Sequence, residues 1–426
     1  MGVLGVIVIA LFILLALLRV PVWVALLAPA LAYSFLTGQP VIFSATNMVR
    51  ALDSFTFLAI PLFIYVGSLM NHGEITERIF EFADSLVGHY DGGLAQVNII
   101  TSLIFAGISG SALADIGGVG RVLIKSMTDA DYDADFSAAV TSASATVGPI
   151  FPPSIPLIIF GIIAEVSVLS LLLAGALPAL LTVAALMVGT VYIAKSQNLP
   201  SNDKRASLSA IARTFVYAFP ALFTPVVLIA GMLAGVFSPT EAAGVTVFYI
   251  LVINTLVYRI IDFGYIWTAA VETARTSGTI VIILAAASVF SFVLSVENID
   301  TLFAQTLFGI STNPFVLLLI VNVVLLFLGL FLDPIAALVM MTPIVVPTLT
   351  QVGVDPVHIG VIMVFNLMLG LLTPPLGLSV YLSADLADVP VADVFRETKV
   401  YYGILVVALL IITYVPEITL FVPRSL

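Results

Sequence analysis

Twice, an apolar run of this chain is interrupted by a glycine with a proline pair beginning four residues on. The two segments are Gly148-Pro149-Ile150-Phe151-Pro152-Pro153 and Gly370-Leu371-Leu372-Thr373-Pro374-Pro375. Proline lacks a backbone donor and clashes with a continuing helix, and the residue before it is pushed toward extended conformation. Each run therefore reads as a helix broken near its middle. The surroundings sharpen that constraint. The chain is 61% apolar and 9% charged, against about 45–50% and 25% in soluble domains. Many of its apolar runs exceed the roughly 20 residues that cross a bilayer. An all-α polytopic membrane protein follows. In hydrocarbon, opened backbone survives only against protein or a polar cavity. Breaks in matching places of two halves point to a binding site of the transporter kind.

Several classes drop out. The segment Met1 to Leu18 has no basic n-region and no small-residue cleavage site, so it is expected as a retained crossing, not a signal peptide. Cysteine is absent, which excludes disulfides and cysteine-ligated metals. The net charge of −11 is spread over loops without a basic tract, so no nucleic acid is expected as partner. There is no Walker loop. Gly117-Gly118-Val119-Gly120 follows no strand and reads as close helix packing. His72, His89 and His358 have no metal-like spacing and read as surface histidines at membrane edges. No titratable cluster suggests an enzyme.

Crossings are expected near 2–19, 22–37 and 55–72, then a bent region 94–127, a broken helix 134–164 and a crossing 168–194. A polar linker, 195–213, separates this first repeat (1–194) from the second (214–426). The second repeats the order with 214–236, 240–260, 277–296, a bent region 314–350, a broken helix 356–384 and a crossing 401–422. Pro152 and Pro374 differ by 374 − 152 = 222, and Pro21 and Pro239 by 239 − 21 = 218. An ordered series at one offset indicates an internal duplication. Five crossings per half, plus a bend contributing none or two, is an odd number, so the second repeat is expected inverted. Of fourteen basic residues, all but Arg50 and Arg424 then fall on one side, among them Arg19, Arg78, Arg121, Lys195, Lys204, Arg213 and Arg275. The positive-inside rule makes that side cytoplasmic and both termini periplasmic.

The bent regions read as re-entrant helical hairpins. Each arm of the first is about 16 residues, or roughly 24 Å, short of a roughly 30 Å core. Its turn carries Ser109-Gly110-Ser111, with Asp115 just beyond; the second turn carries Gly329 and Asp333-Pro334. Tilted full crossings are the alternative. Residues 74–87 and 297–308 are amphipathic and suit helices lying in the interface plane. A broken helix presents carbonyls at one end and amides at the other. One sodium site is therefore expected from Ser109, Gly110, Ser111, Gly148 and Phe151, and a second from Gly329, Gly370, Thr373 and the Leu376 carbonyl. Asp115, Pro152, Ser154, Asp333 and Pro374 are the candidate substrate contacts, since an intramembrane carboxylate is functional by default. Asp333 before Pro334 reads equally as a helix cap. Glu241, in Ser238-Pro239-Thr240-Glu241, reads as part of a capping box.

Ser109-Gly110-Ser111, Pro152-Pro153-Ser154-Ile155, Ser238-Pro239-Thr240-Glu241-Ala242-Ala243, Gly353-Val354-Asp355-Pro356-Val357-His358 and Pro374-Pro375-Leu376-Gly377 also carry a family likeness. Over nearly its whole length the chain resembles the large membrane subunit of tripartite ATP-independent periplasmic (TRAP) transporters. The resemblance implies a sodium-driven, elevator-type importer in a bacterial inner membrane. It implies two partners, a small four-span membrane subunit and a soluble periplasmic binding protein. The delivered cargo would be an organic acid anion such as a C4-dicarboxylate or sialic acid. A stand-alone divalent-anion symporter of the same architecture and a passive channel subunit stand as alternatives.

Overall fold

A computed structural model describes residues 3–18, 20–71, 73–197, 199–200, 205–260 and 262–425; Arg19, His72 and Lys204 lie outside them. Among the described residues every regular element is helical. The first series comprises α1 (Val3–Leu17), α2 (Val22–Leu36), α3 (Val41–Leu52), α4 (Ala59–Met70), α5 (Gly73–Val87), α6 (Gly93–Ser109), α7 (Ala112–Asp115), α8 (Arg121–Thr128), α9 (Ala134–Ala145), α10 (Ile155–Ala164) and α11 (Val168–Gln197). A π-helical turn, Ile116–Gly120, joins α7 to α8. The second comprises α12 (Leu208–Leu222), α13 (Thr224–Leu233), α14 (Pro239–Leu256), α15 (Phe263–Val296), α16 (Ile299–Ile310), α17 (Pro314–Gly329), α18 (Pro334–Thr350), α19 (Pro356–Gly370), α20 (Leu378–Ala387), α21 (Val391–Tyr414) and α22 (Pro416–Ser425).

Four helices start on one local signal. Ser238, Asn313, Asp333 and Asp355 each cap the first turn with a side-chain oxygen, and Pro239, Pro314, Pro334 and Pro356 follow. The proline costs no hydrogen bond there, because the first amides of a helix have no partner within it. Ser238 and Glu241 form the reciprocal capping box that their spacing indicates.

Some boundaries differ from the sequence reading. The expected crossing 55–72 is preceded by an additional helix, α3, and the pair is bent by 62° at Asp53-Ser54. In the second series α15 begins at Phe263 and runs uninterrupted for 34 residues instead of starting near 277. Polar residues hid both segments: Ser44, Thr46, Asn47 and Arg50 in α3, Glu272 and Arg275 in α15. α1 and α2 are 15 residues each, roughly 22 Å and so shorter than the expected crossings. The last crossing begins at Val391 and bends by 58° before Pro416. Among the described residues α11, α14 and α15 are long and apolar enough to span a membrane singly, and three bent pairs reach that length together. His358, expected at a surface, is buried. Its Nδ1 lies 2.7 Å from Thr419 Oγ1 and its Nε2 3.2 Å from the Thr413 carbonyl, because α22 folds back over the start of α19.

The helices form two packed groups. In the outer one α15 lies along α2, α3 and α4, with α14 against α4 and α13. In the inner one α9 is surrounded by α6, α8, α20 and α21, while α19 sits on α17 and α18. The series cross over: α20 of the second leans on α9 of the first, and α10 of the first leans on α18 and α19. The amphipathic α5 packs on both α6 and α12, with Ser85 Oγ 3.0 Å from Thr214 Oγ1.

Buried amides fasten each first half of a broken helix to the helix before its turn. Asn98 on α6 donates to Thr141 Oγ1 at 2.7 Å and accepts from Ser144 Oγ at 3.0 Å, both on α9. Asn366 on α19 donates to the Asn322 side-chain oxygen at 2.7 Å, and Asn322 on α17 donates to Thr413 Oγ1 at 3.0 Å. Buried amide bonds of this kind stabilise little by existing but cost about 1–3 kcal/mol when one partner is removed. Asn366→Ala strands the Asn322 oxygen, so the melting temperature of the purified protein in detergent is expected to fall. An unchanged melting curve would show that this clasp contributes nothing.

Candidate functional site

The two broken helices stand directly against the two turns. Break 1 lies between α9 and α10, and break 2 between α19 and α20. Gly110 closes α6 in the left-handed region, φ +62°, and a Cβ there would run into the Pro153 carbonyl and the Ile155 amide 3.2 Å away. Only glycine permits both that φ and that approach. Gly329 at the second turn meets Gly370 at break 2 backbone to backbone: a Cβ on Gly329 would come 3.3 Å from the Gly370 Cα. Pro152-Pro153 and Pro374-Pro375 are both cis.

At turn 1, Ser109 donates its hydroxyl to Asp115 Oδ1 and accepts the Ser111 amide at 3.2 Å. The other oxygen, Asp115 Oδ2, is buried without a donor, and a Cβ on Gly148 would lie 2.8 Å from it. Ser109, Gly110, Ser111, Asp115 and Gly148 are thus brought together. Phe151 lies farther back against α6, its ring edge 3.1 Å from where a Cβ on Gly107 would stand, and it lines neither cavity at the turns. Ser154 is committed within break 1: it caps α10 by accepting Leu157 N at 3.1 Å and donates to the Pro149 carbonyl. Pro152 is buried beside it. Neither lines a described cavity at the turns.

At turn 2, Asp333 Oδ1 accepts from the Ile335 and Ala336 amides at 3.0 and 3.2 Å, so the capping reading of this residue is realised. Thr373 Oγ1 spends its hydrogen on the Leu369 carbonyl at 2.7 Å, leaving its lone pairs free. Pro374 is exposed and Leu376 half-buried, on the outer rim of break 2.

Two cavities border this arrangement. A small one, about 100 Å³, lies between the turns and is lined from one side by Gly110, Ser111 and Ala112 and from the other by Asp333, Pro334 and Ile335. A larger one, about 430 Å³, separates turn 1 from the outer helices α4 and α15. Ser109, Ser111 and Asp115 form its inner wall; Ser68, Asn71, Glu272 and Arg275 form its outer wall. The π-turn Ile116–Gly120 borders it as well, and a Cβ on Gly117 would have nothing within 4 Å. Such π-turns are rare and frequent at functional sites. Arg275 lines this cavity because α15 begins at Phe263, where the sequence alone reads as a loop. In the structure the starts of α3 and α15, Val41 and Phe263, differ by 263 − 41 = 222, the offset that relates the breaks.

The arrangement can bind. Backbone opened at two places, free oxygen lone pairs and a polar cavity offer ligands to a cation and a passage to a small polar molecule. Among the described residues no three His, Cys, Asp or Glu side chains cluster as a transition-metal site.

Residues 9–418 match the family model of the Tripartite ATP-independent periplasmic transporter, DctM component. The chain is 41% identical over 408 residues to the sialic acid TRAP transporter large permease protein SiaM of Vibrio cholerae, covering 95% of each. It is 38% identical to the sialic acid TRAP transporter permease protein SiaT of Haemophilus influenzae, over 96% of this chain and 66% of that longer one. In fold it is similar to the YdaH transporter of Alcanivorax borkumensis, with a TM-score of 0.63, 13% identity and 88% of each chain covered. With the family matched across almost its whole length, the chain belongs to the DctM component of the tripartite ATP-independent periplasmic transporters and is a multi-pass membrane permease, not an enzyme.

Proposed function

We propose that this permease takes up an organic acid anion by coupling it to inward movement of sodium. In this reading the anion arrives on a periplasmic binding protein and a small four-span membrane subunit stands beside the chain. The membrane is the bacterial inner membrane, with both termini periplasmic. The anion class, sialic acid or a C4-dicarboxylate, draws on the names of similar proteins, of which two are sialic acid permeases. The observation that carries the reading is the seating of both glycine breaks against both turns, Gly110 on break 1 and Gly329 on Gly370.

Sodium prefers several neutral oxygens, and the residues present fit it. Beside Gly148 there is a buried carboxylate oxygen without a donor, Asp115 Oδ2. Beside Gly370 there is a threonine oxygen whose own hydrogen is engaged. Ser109, Gly110, Ser111, Gly148 and Phe151 would hold one ion; Gly329, Gly370, Thr373 and the Leu376 carbonyl would hold a second. Asp115 borders both the first of these positions and the larger cavity, so it links ion to anion. Each charge that crosses inward supplies about 2.3 kcal/mol per 100 mV. In an elevator movement the inner group, which carries the turns and breaks, would slide against α4 and α15, with α5 as a connecting arm.

Two results are expected in proteoliposomes containing the chain and its partners. Replacing external sodium by potassium abolishes uptake; full uptake in potassium removes the ion assignment. Ser109→Ala and Thr373→Ala each raise the sodium needed for half-maximal uptake roughly threefold or more, as expected for losing one polar ligand. They also weaken the stabilisation that sodium gives to thermal melting. Wild-type sodium dependence in both variants would leave these residues a packing role alone.

A further inference from the structure

We infer that Arg275 receives the carboxylate of the transported anion, and that the larger cavity is built for an acid with one carboxylate and several hydroxyl groups. This rests on the organic-anion reading above. Arg275 lies twelve residues after the start of α15 and lines the larger cavity. Its neighbour Thr276 lines both that cavity and the small one between the turns, so α15 carries Arg275 alongside turn 1. The Arg275 side chain is exposed, open to a ligand that enters the cavity. Arg78, Lys195, Arg396 and Arg424 have acidic partners within 4.0 Å; Arg275, like several other basic residues, has no side-chain ion pair or hydrogen bond among the described residues, and it is the one of these that lines the larger cavity. Glu272, one turn earlier on α15 and in the same cavity wall, does not pair with it. A planar guanidinium with its donors uncommitted matches a carboxylate through two parallel hydrogen bonds.

The rest of the lining sets the class of acid. Arg275 is its single cation, and the cavity also contains two acids, Asp115 and Glu272. A second carboxylate on the ligand would face these without a counter-charge. Hydroxyl groups would face Ser68 and Asn71, which can exchange hydrogen bonds with a neutral polyol. The volume of about 430 Å³ falls within the usual range for small-molecule sites, about 300–1,000 Å³.

The test compares uptake of sialic acid and of succinate by the chain with its partners in proteoliposomes. Wild type is expected to take up sialic acid with a lower KM than succinate. Arg275→Gln should raise the sialic acid KM roughly ten- to a hundredfold, the range for losing a charge-assisted pair. Arg275→Lys, which keeps the charge but not the fork, should fall between. In both variants the sodium dependence of thermal melting is expected to stay that of wild type, which separates anion recognition from misfolding. Should Arg275→Gln fail to fold, the KM of Arg275→Lys decides. A wild-type KM in the variants, or a preference for succinate, overturns this inference and leaves the proposed function standing. Wild type taking up neither acid in sodium overturns both.

Discussion

The architecture depends on an obligation that water normally removes. Where a helix opens inside an apolar environment, its amides and carbonyls have no solvent to turn to. Here each break is met by a glycine turn from the neighbouring hairpin-like pair. Gly110 lets the turn between α6 and α7 reach Pro153 and Ile155, and Gly329 lets the turn between α17 and α18 reach Gly370. A methyl group at Gly110 or Gly370 would collide with facing backbone, and one at Gly329 would crowd it. The same contact that protects the open backbone also gathers oxygen atoms, those of Ser109, Asp115 and the Pro153 carbonyl, around turn 1.

The buried amides follow from it. A break removes the hydrogen bonds that would make α9 continuous with α10, or α19 with α20, so each first half must be held laterally. Asn98 does this for α9 and Asn366 for α19, each from or onto the helix that leads into a turn. The second halves are held by the opposite series: Ser142 on α9 is hydrogen-bonded to Ser383 and to the Ser379 carbonyl on α20. The two series therefore interlock around the breaks, and α4 and α15 pack onto this body through α6, α10 and α18.

The sequence made the breaks legible because proline and glycine act locally, through a missing donor and a permitted φ, whatever surrounds them. The capping signals of α14, α17, α18 and α19 were readable for the same reason. What it concealed were the features that depend on a distant partner. His358 looks like an edge residue until α22 supplies Thr419 and the Thr413 carbonyl. α3 looks like a loop because its polar residues interrupt the apolar pattern, and its packing against α15 is a long-range fact. Ser154 looks like a ligand-facing hydroxyl, yet it closes a bond inside its own break. Roles that exist only between segments leave no trace in composition or spacing.

The difference between the two halves is as informative as their likeness. The segments α3 with α4 and α15 start at the same offset, but the first is bent by 62° and the second is one uninterrupted 34-residue helix. A bend at Asp53-Ser54 ends α3 and starts α4, which lines the cavity at turn 1, whereas the uninterrupted α15 brings Glu272 and Arg275 into the wall of the same cavity. Turn 1 therefore faces a charged wall that turn 2 lacks, since the cavity between the turns has Asp333, already capping α18, as its one ionisable side chain. The two halves of the chain share their breaks but differ in the charge set against them, and the difference is located in α15.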